Sequence, residues 1–215
     1  SILGGHTLKD PVPKYGLVVT GRVEKNNLSL NSTAKAGDVL ILTKPLGLGI
    51  ISTAIKKDTS PDFIVDEAVK TMTHLNRGAA EAMNAIGVHA CTDVTGYGLL
   101  GHLLEMCQAS EVSATLEFNT IPLIQGVYEL AQKGFVPGGT KRNMDYVSSH
   151  VNFSKTLSKE QQYLLADAQT SGGLLISVAK EKVQDLQNLL NENGCLTSSI
   201  IGNVYNLAEF SIYID

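Results

Sequence analysis

Cysteine is scarce and odd in number: Cys91, Cys107 and Cys195 are the only three in 215 residues, with no CxxC pair among them. That fits a reducing cytoplasm better than a disulfide framework. Each lies in an apolar context with no histidine placed to form an ion pair, so all three read as core or near-core thiols rather than nucleophiles. Charge of one sign is also missing as a block. The 17 basic and 21 acidic residues give a net −4 without long runs. This leaves no electrostatic footprint for nucleic acid or an anionic membrane, while local sites for small charged ligands stay open. No apolar stretch reaches the roughly 18–20 residues that span a bilayer. The first residues show no basic-then-apolar leader, and no internal repeat of fixed period is found. A cytoplasmic protein is the expectation.

What is present is a hydrophobic content of 43%, enough for one large domain or a domain plus a fragment. The chain opens Ser-Ile-Leu-Gly-Gly, without Met and in what reads as mid-domain sequence, so a fragment is expected. Gly4-Gly5-His6-Thr7 reads as a strand end running into a turn where backbone can approach a ligand. Tyr15 to Val23 reads as a strand by its β-branched content, with its pairing left open. A boundary is placed at about residue 30.

Beyond it, Val39 to Thr43 is a continuous apolar run of strand length, which predicts a strand buried on both faces. A helix is expected over Ile50 to Lys56. Ser60 as N-cap and Pro61 at the first position start a long amphipathic helix that carries Val65, Ala68, Met72, Leu75, Ala79, Met83 and Ile86 to Gly87. Further helices are expected over Leu99 to Gln108, Ile121 to Gly134, Ser158 to Leu165 and Glu181 to Leu190. Strands are expected over Val112 to Phe118, Leu174 to Val178, Thr197 to Val204 and Phe210 to Ile214. Strands and helices alternate, which argues an α/β (or α+β) domain with helices packed on one mixed sheet.

The most informative stretch is Cys91 to His102. It leaves an apolar strand, places Asp93 at the strand exit, turns on Gly96 and Gly98 and enters a helix. Ligands of open α/β sheets bind at such strand ends. Asp93 beside two threonine hydroxyls and helix-start amides suits a hard cation next to phosphate; helix capping by Thr95 or Asp93 explains the same residues. Val136 to Asn143 packs two glycines, Thr140, Lys141 and Arg142 into a loop suited to gripping an anion, or into an ordinary solvated loop. Lys44, at a strand end, is either an anion ligand or a surface lysine.

Taken together, Gly4 to Thr7, Leu42-Thr43-Lys44-Pro45-Leu46-Gly47, Thr92 to Leu103, Val136 to Asn143 and Gln169-Thr170-Ser171-Gly172-Gly173-Leu174-Leu175 closely resemble the selenophosphate synthetases (selenide, water dikinases). The resemblance covers essentially the whole chain. This group belongs to the aminoimidazole ribonucleotide synthetase-like superfamily, whose members join two α/β domains and bind ATP between them. It implies that residues 1–30 are the tail of the N-terminal ATP-binding domain and that 31–215 are the C-terminal domain. It further implies ATP as substrate together with selenide and water, giving selenophosphate, orthophosphate and AMP. Asp93 would be one of the aspartates that bind Mg²⁺, Gly4, Gly5, His6 and Thr7 would contact the nucleotide, and the whole protein would be a cytoplasmic homodimer. Lys44, Thr140, Lys141, Arg142 and the Thr170 to Gly173 turn are candidates for the same cleft without an assigned role.

The departures matter as well. The Gly-rich segment that carries the nucleophilic Cys or selenocysteine, its lysine and the further aspartates has no match here, so the chain alone is expected to be inactive. Ala168 stands where the turn commonly carries Pro. Two other readings remain: another ATP-using member of the superfamily, of the aminoimidazole ribonucleotide synthetase or thiamine-monophosphate kinase type, or a folded binding or oligomerisation module.

Overall fold

The apolar run that begins at Val39 does not alternate because its strand has no solvent face. In the computed structural model, which describes residues 2–215, β1 (Asp38–Leu42) is buried at every position. Among the described residues it belongs to a seven-stranded sheet with β2 (Ala90–Asp93), β3 (Val112–Leu116), β4 (Val151–Phe153), β5 (Leu174–Ala179), β6 (Ser199–Asn206) and β7 (Ile212–Ile214). The order is β2-β5-β1-β6-β3-β7-β4. β7 runs parallel to β3 and β4, and the other pairs are antiparallel. The sheet is therefore mixed, as the alternation of elements predicts.

Successive β1 side chains enter two different layers. Leu40 and Leu42 join the larger core, built with α1 (Leu48–Ile55), α2 (Asp62–Thr73), α4 (Gly98–Ser110), α5 (Val127–Gln132), α6 (Gly138–Val147) and α7 (Lys159–Leu165). Ile41 joins Ile176 and Val178 under α3 (Arg77–Ile86) and α8 (Val183–Glu192), which contribute Ala79, Ala82, Leu186 and Leu190. Each fully buried aliphatic side chain of this kind contributes about 1.5–3 kcal/mol. Among the described residues no helix is long and apolar enough to cross a membrane.

Five expectations are corrected. The single helix from Pro61 to Ile86 is two, α2 and α3, broken where His74 turns extended at ψ 125°. The reason is the two layers: Ile64 and Ala68 of α2 pack in the larger core, while Ala79 and Ala82 of α3 pack beneath β1 on the other face. A straight helix cannot serve both, although its apolar spacing reads as continuous. Ser60 does not cap α2; Pro61 holds the N-cap position, and the Ser60 hydroxyl is buried without a partner among the described residues.

The helix expected from Ile121 shortens to α5, because Leu123 forms a parallel bridge with Leu46. The Leu46 amide donates to Pro122 O at 2.9 Å and the Ile124 amide to Leu46 O at 3.0 Å. Gly126, at φ 83°, then opens the helix. The Gly138 to Asn143 stretch is no loop but the first turns of α6. The strand expected over Tyr15 to Val23 is absent: residues 2–24 carry neither helix nor strand and are exposed throughout. A strand needs a neighbour for its backbone hydrogen bonds, and none of the seven lies beside this run. The first described backbone hydrogen bond to the body is at Leu30, whose carbonyl accepts from the Cys91 amide at 2.9 Å. β4 is an additional strand that sequence patterning does not mark.

Candidate functional site

Two glycines explain why separate motifs meet. A Cβ on Gly172 would overlap the Val94 carbonyl, and one on Gly173 would stand 2.5 Å from the Lys44 amide nitrogen. The turn at 170–173 is thus pressed between the strand exit that carries Asp93 and the end of β1. The Val94 amide donates to Gly173 O at 2.8 Å and the Gln169 amide to Thr95 O at 2.9 Å. Asn143 of α6 closes the ring, donating through Nδ2 to Gly96 O at 2.9 Å and to Ala166 O at 3.1 Å. Gly98, at φ 69°, starts α4 so close to the Ala166 carbonyl that a Cβ would lie 2.6 Å from its oxygen. Four of the five motif runs therefore converge on one site.

Beneath them lies a polar network. The first amides of α1 are all taken by side chains of the turn: Gly47 and Leu48 donate to Gln169 Oε1 at 3.2 Å each. Gly49 and Ile50 donate to Asp167 Oδ2 at 2.9 and 3.2 Å. Thr140, fully buried in the first turn of α6, donates to Asp167 Oδ1 at 2.7 Å. Burial pushes the Asp167 carboxyl up to about 6, against the pull of these donors and of Gln169. With its orphan donors satisfied in this way, α1 has no free N-terminus to offer a phosphate.

Lys44 is neither a surface lysine nor a free anion ligand. It is 1% exposed, and Nζ donates to the carbonyls of Thr71, His74 and Ser171 at 3.0, 2.6 and 2.7 Å. Burial lowers its pKa. Asp93 is the opposite case. It is exposed at the end of β2, and among the described residues no donor reaches its carboxylate. It caps no helix: the N-cap position of α4 belongs to Tyr97, with no side-chain capping bond.

Behind the loop, His102 Nε2 lies 3.3 Å from Thr95 Oγ1, and the Tyr97 ring meets it edge-on at 5.8 Å. Burial lowers the His102 pKa, with Asp93 and Glu105 opposing. Lys141 and Arg142 are exposed on α6. The Arg142 guanidinium folds back along the first turn, 3.4 Å from where a Gly138 Cβ would stand.

The remaining candidates lie apart. Gly4, Gly5, His6 and Thr7 face Gly16 and Leu17 across an open hollow within residues 2–24, and no described hydrogen bond joins that segment to the Asp93 loop. The cysteines are unsuited to attack: burial drives Cys91 and Cys107 up to about 12 and also raises Cys195. Among the described residues no three His, Cys, Asp or Glu side chains cluster as a metal site. Sequence reasoning assigned no role to Asp167, Gln169 or Asn143. The available signal was an acid set between Ala166 and Ala168, immediately ahead of a glycine turn.

Comparison with known proteins gives a consistent result. The family model described as AIR synthase related protein, C-terminal domain, matches residues 35–215. The chain is 49% identical over 213 residues to a protein of Caldanaerobacter subterraneus subsp. tengcongensis called selenide, water dikinase, covering 99% of this chain and 62% of the relative. Proteins of the same name from Clostridioides difficile and Myxococcus xanthus are 46% and 50% identical, over 97% and 94% of this chain and 60% and 58% of theirs. The chain thus spans about three-fifths of the length of these relatives. The fold is shared with thiamine-monophosphate kinase from Stenotrophomonas maltophilia K279a, at TM-score 0.61 and 15% identity over 90% of this chain and 54% of that one. It is also shared with the hydrogenase maturation protein HypE in complex with ATP, at TM-score 0.54 and 16% identity over 84% and 46%.

Proposed function

The chain belongs to the family of AIR synthase related proteins, C-terminal domain, and on that premise we propose that it is the C-terminal part of a selenide, water dikinase. The reaction would take ATP, selenide and water to selenophosphate, orthophosphate and AMP. Residues 31–215 would form the C-terminal domain and residues 1–30 the tail of an ATP-binding domain, with Gly4, Gly5, His6 and Thr7 against the nucleotide. The observation that carries the reading is the Asp93 loop. Its carboxylate stands free at a strand exit while four motif runs lock the backbone around it.

Phosphoryl transfer depends mostly on positioning and charge neutralisation, and the residues divide that work. A single exposed carboxylate fits Mg²⁺, which keeps several waters and is commonly held by one or two carboxylates plus substrate phosphates. Bound there, Mg²⁺ would neutralise phosphate charge. The first-turn amides of α6 at Gly138 and Gly139, with Arg142 alongside, would face phosphate oxygens. The amides of α1 would not, because Asp167 and Gln169 occupy them. With its imidazole pKa lowered by burial, His102 would support the Thr95 hydroxyl without adding positive charge.

Burial pushes the Cys91 and Cys107 thiols up to about 12 and raises Cys195 as well, which disfavours all three as nucleophile; on this reading that group and its lysine would come from the N-terminal part, and the 215 residues alone would not turn over. A cytoplasmic homodimer is part of the same reading. The test is a chimera that joins this chain to the N-terminal part of the Caldanaerobacter relative. Selenide-dependent release of AMP from ATP is expected, and a folded chimera that releases none rejects the proposal.

A further inference from the structure

One carboxylate at the base of the site receives donors from three separate elements. Asp167 takes the Gly49 and Ile50 amides from α1, the Thr140 hydroxyl from α6, and Gln169 Nε2 from its own turn at 3.3 Å. The approach is close: a Cβ on Gly49 would stand 2.6 Å from Asp167 Oδ1 and from the Ala168 carbonyl. Thr140 is shared further, accepting from the Ala168 amide at 3.4 Å. Asn143, one turn along α6, bonds both Ala166 O and Gly96 O. The helix is thereby held at two points one turn apart, by Asp167 below and by the Asp93 loop above.

We infer that Asp167 is a positioning residue: its carboxylate fixes the first turns of α1 and α6 against the Gln169 turn, and so sets where the Gly138 and Gly139 amides and Arg142 stand relative to the Asp93 loop. The inference deepens the function proposed above and rests on it only for the identity of the anion those groups face. The network is built for the ionised acid, because every bond to Asp167 comes from a donor and a protonated carboxyl would set its own hydrogen against one of them.

No charged side chain enters the balance at Asp167, which consists of burial and four donors. α1 has no ionisable residue. Lys141, Arg142, Asp145 and Tyr146 of α6 are exposed. α4 presents His102 and Glu105, and α7 presents Lys159, Glu160 and Tyr163. Acidification through about pH 6 therefore acts on this tether from within.

The test is an amide nuclear magnetic resonance titration of the ¹⁵N-labelled 215-residue chain between pH 4.5 and 8. The amides of Gly49, Ile50 and Thr140 are expected to move with one midpoint near 6, and those of Gly138 and Gly139 to share it. In Asp167→Asn that midpoint vanishes. In Thr140→Val it persists at Gly49 and Ile50 and disappears at Gly138 and Gly139. If Gly138 and Gly139 stay still while Gly49 and Ile50 titrate, or keep titrating in Thr140→Val, Asp167 is only a cap for α1 and the inference is overturned. Should Asp167→Asn not fold, the native chain and Thr140→Val still decide. The result is independent of the chimera assay, so either reading can fail without the other.

Discussion

The ammonium of Lys44 lies 2.7 Å from the carbonyl oxygen of Ser171, a residue 127 positions along the chain and at φ 53°. The same nitrogen holds the carbonyls of Thr71 and His74 at the end of α2. One buried amine thus joins the end of β1, the break between α2 and α3, and the glycine turn beneath the Asp93 loop.

Lys44→Met removes these bonds while keeping the apolar stem, and leaves three carbonyls short of a donor. The expected cost is at least about 2 kcal/mol, since each buried unsatisfied group costs roughly 1–3 kcal/mol. Urea unfolding of the chain reads it as a lower midpoint at unchanged slope. An unchanged midpoint would mean that the carbonyls are satisfied without the amine.

Gly172→Ala tests the packing of the turn on the loop. The added methyl would collide with the Val94 carbonyl and lie 3.0 Å from Gln169 Cβ. Overpacking of this kind costs about 1–3 kcal/mol or more, and here it displaces the backbone next to Asp93. The melting temperature should fall, and the Val94 and Thr95 amide resonances should move. Gly96→Ala is the control, with open space around its Cβ.

The acid limb of stability follows from Asp167. Burial lifts its folded pKa to about 6, above the ordinary aspartate value of about 3.9, so between these values the folded chain binds the proton more tightly than the unfolded chain. Stability from this group is therefore greatest below about pH 4, falls as pH rises towards 6, and is level above that. The full change is at most about 3 kcal/mol. Urea titrations from pH 4 to 8 should show this component in the native chain and lose it in Asp167→Asn.

The thiols give a kinetic prediction. With Cys91 and Cys107 near 12 rather than 9, the thiolate fraction at pH 8 is about a thousandfold below that of a free thiol. In the folded chain, 5,5′-dithiobis(2-nitrobenzoate) should modify neither at an appreciable rate, and in urea it should modify all three cysteines. Rapid reaction of Cys91 in the folded chain would contradict its assignment as a packing residue.

Much of the fold is legible in the residues because the elements concerned depend on local pattern. The unalternating Val39 to Thr43 run, the helix expected from Ser158, which the structure opens with a capping box between Ser158 and Gln161, and the strand exit at Asp93 all lie where sequence alone puts them. The corrections fall where a partner distant in sequence decides. Nothing local distinguishes one helix from two across His74; the break depends on which face of the sheet each half covers. Leu123 pairs with Leu46 rather than continuing a helix. Gly138 and Gly139 look like a loop, yet Thr140 finds Asp167 and the helix starts there. Tyr15 to Val23 has strand composition and no neighbouring strand.

At the site, sequence marks the acid that faces outward and misses the one that faces inward. Asp93 is conspicuous because it ends an apolar strand beside two glycines. Asp167 is defined by donors from α1 and α6, which come together only in the folded chain, and Lys44 by carbonyls that no side-chain pattern records.

Asp93 is proposed to serve phosphoryl transfer and not the fold. The decisive measurement is AMP formation from Mg²⁺-ATP, with and without selenide, by the chimera carrying Asp93 or Asp93→Asn, beside the urea midpoint of each protein. The assignment of Asp93 to phosphoryl transfer predicts AMP only when selenide is present, a loss of at least about 100-fold in Asp93→Asn, comparable to removal of a single group that stabilises transition-state charge, and unfolding free energies that agree within about 0.5 kcal/mol, as for an exposed residue away from special features. Undiminished selenide-dependent AMP formation in Asp93→Asn, or a loss of activity matched by a loss of stability, would contradict it.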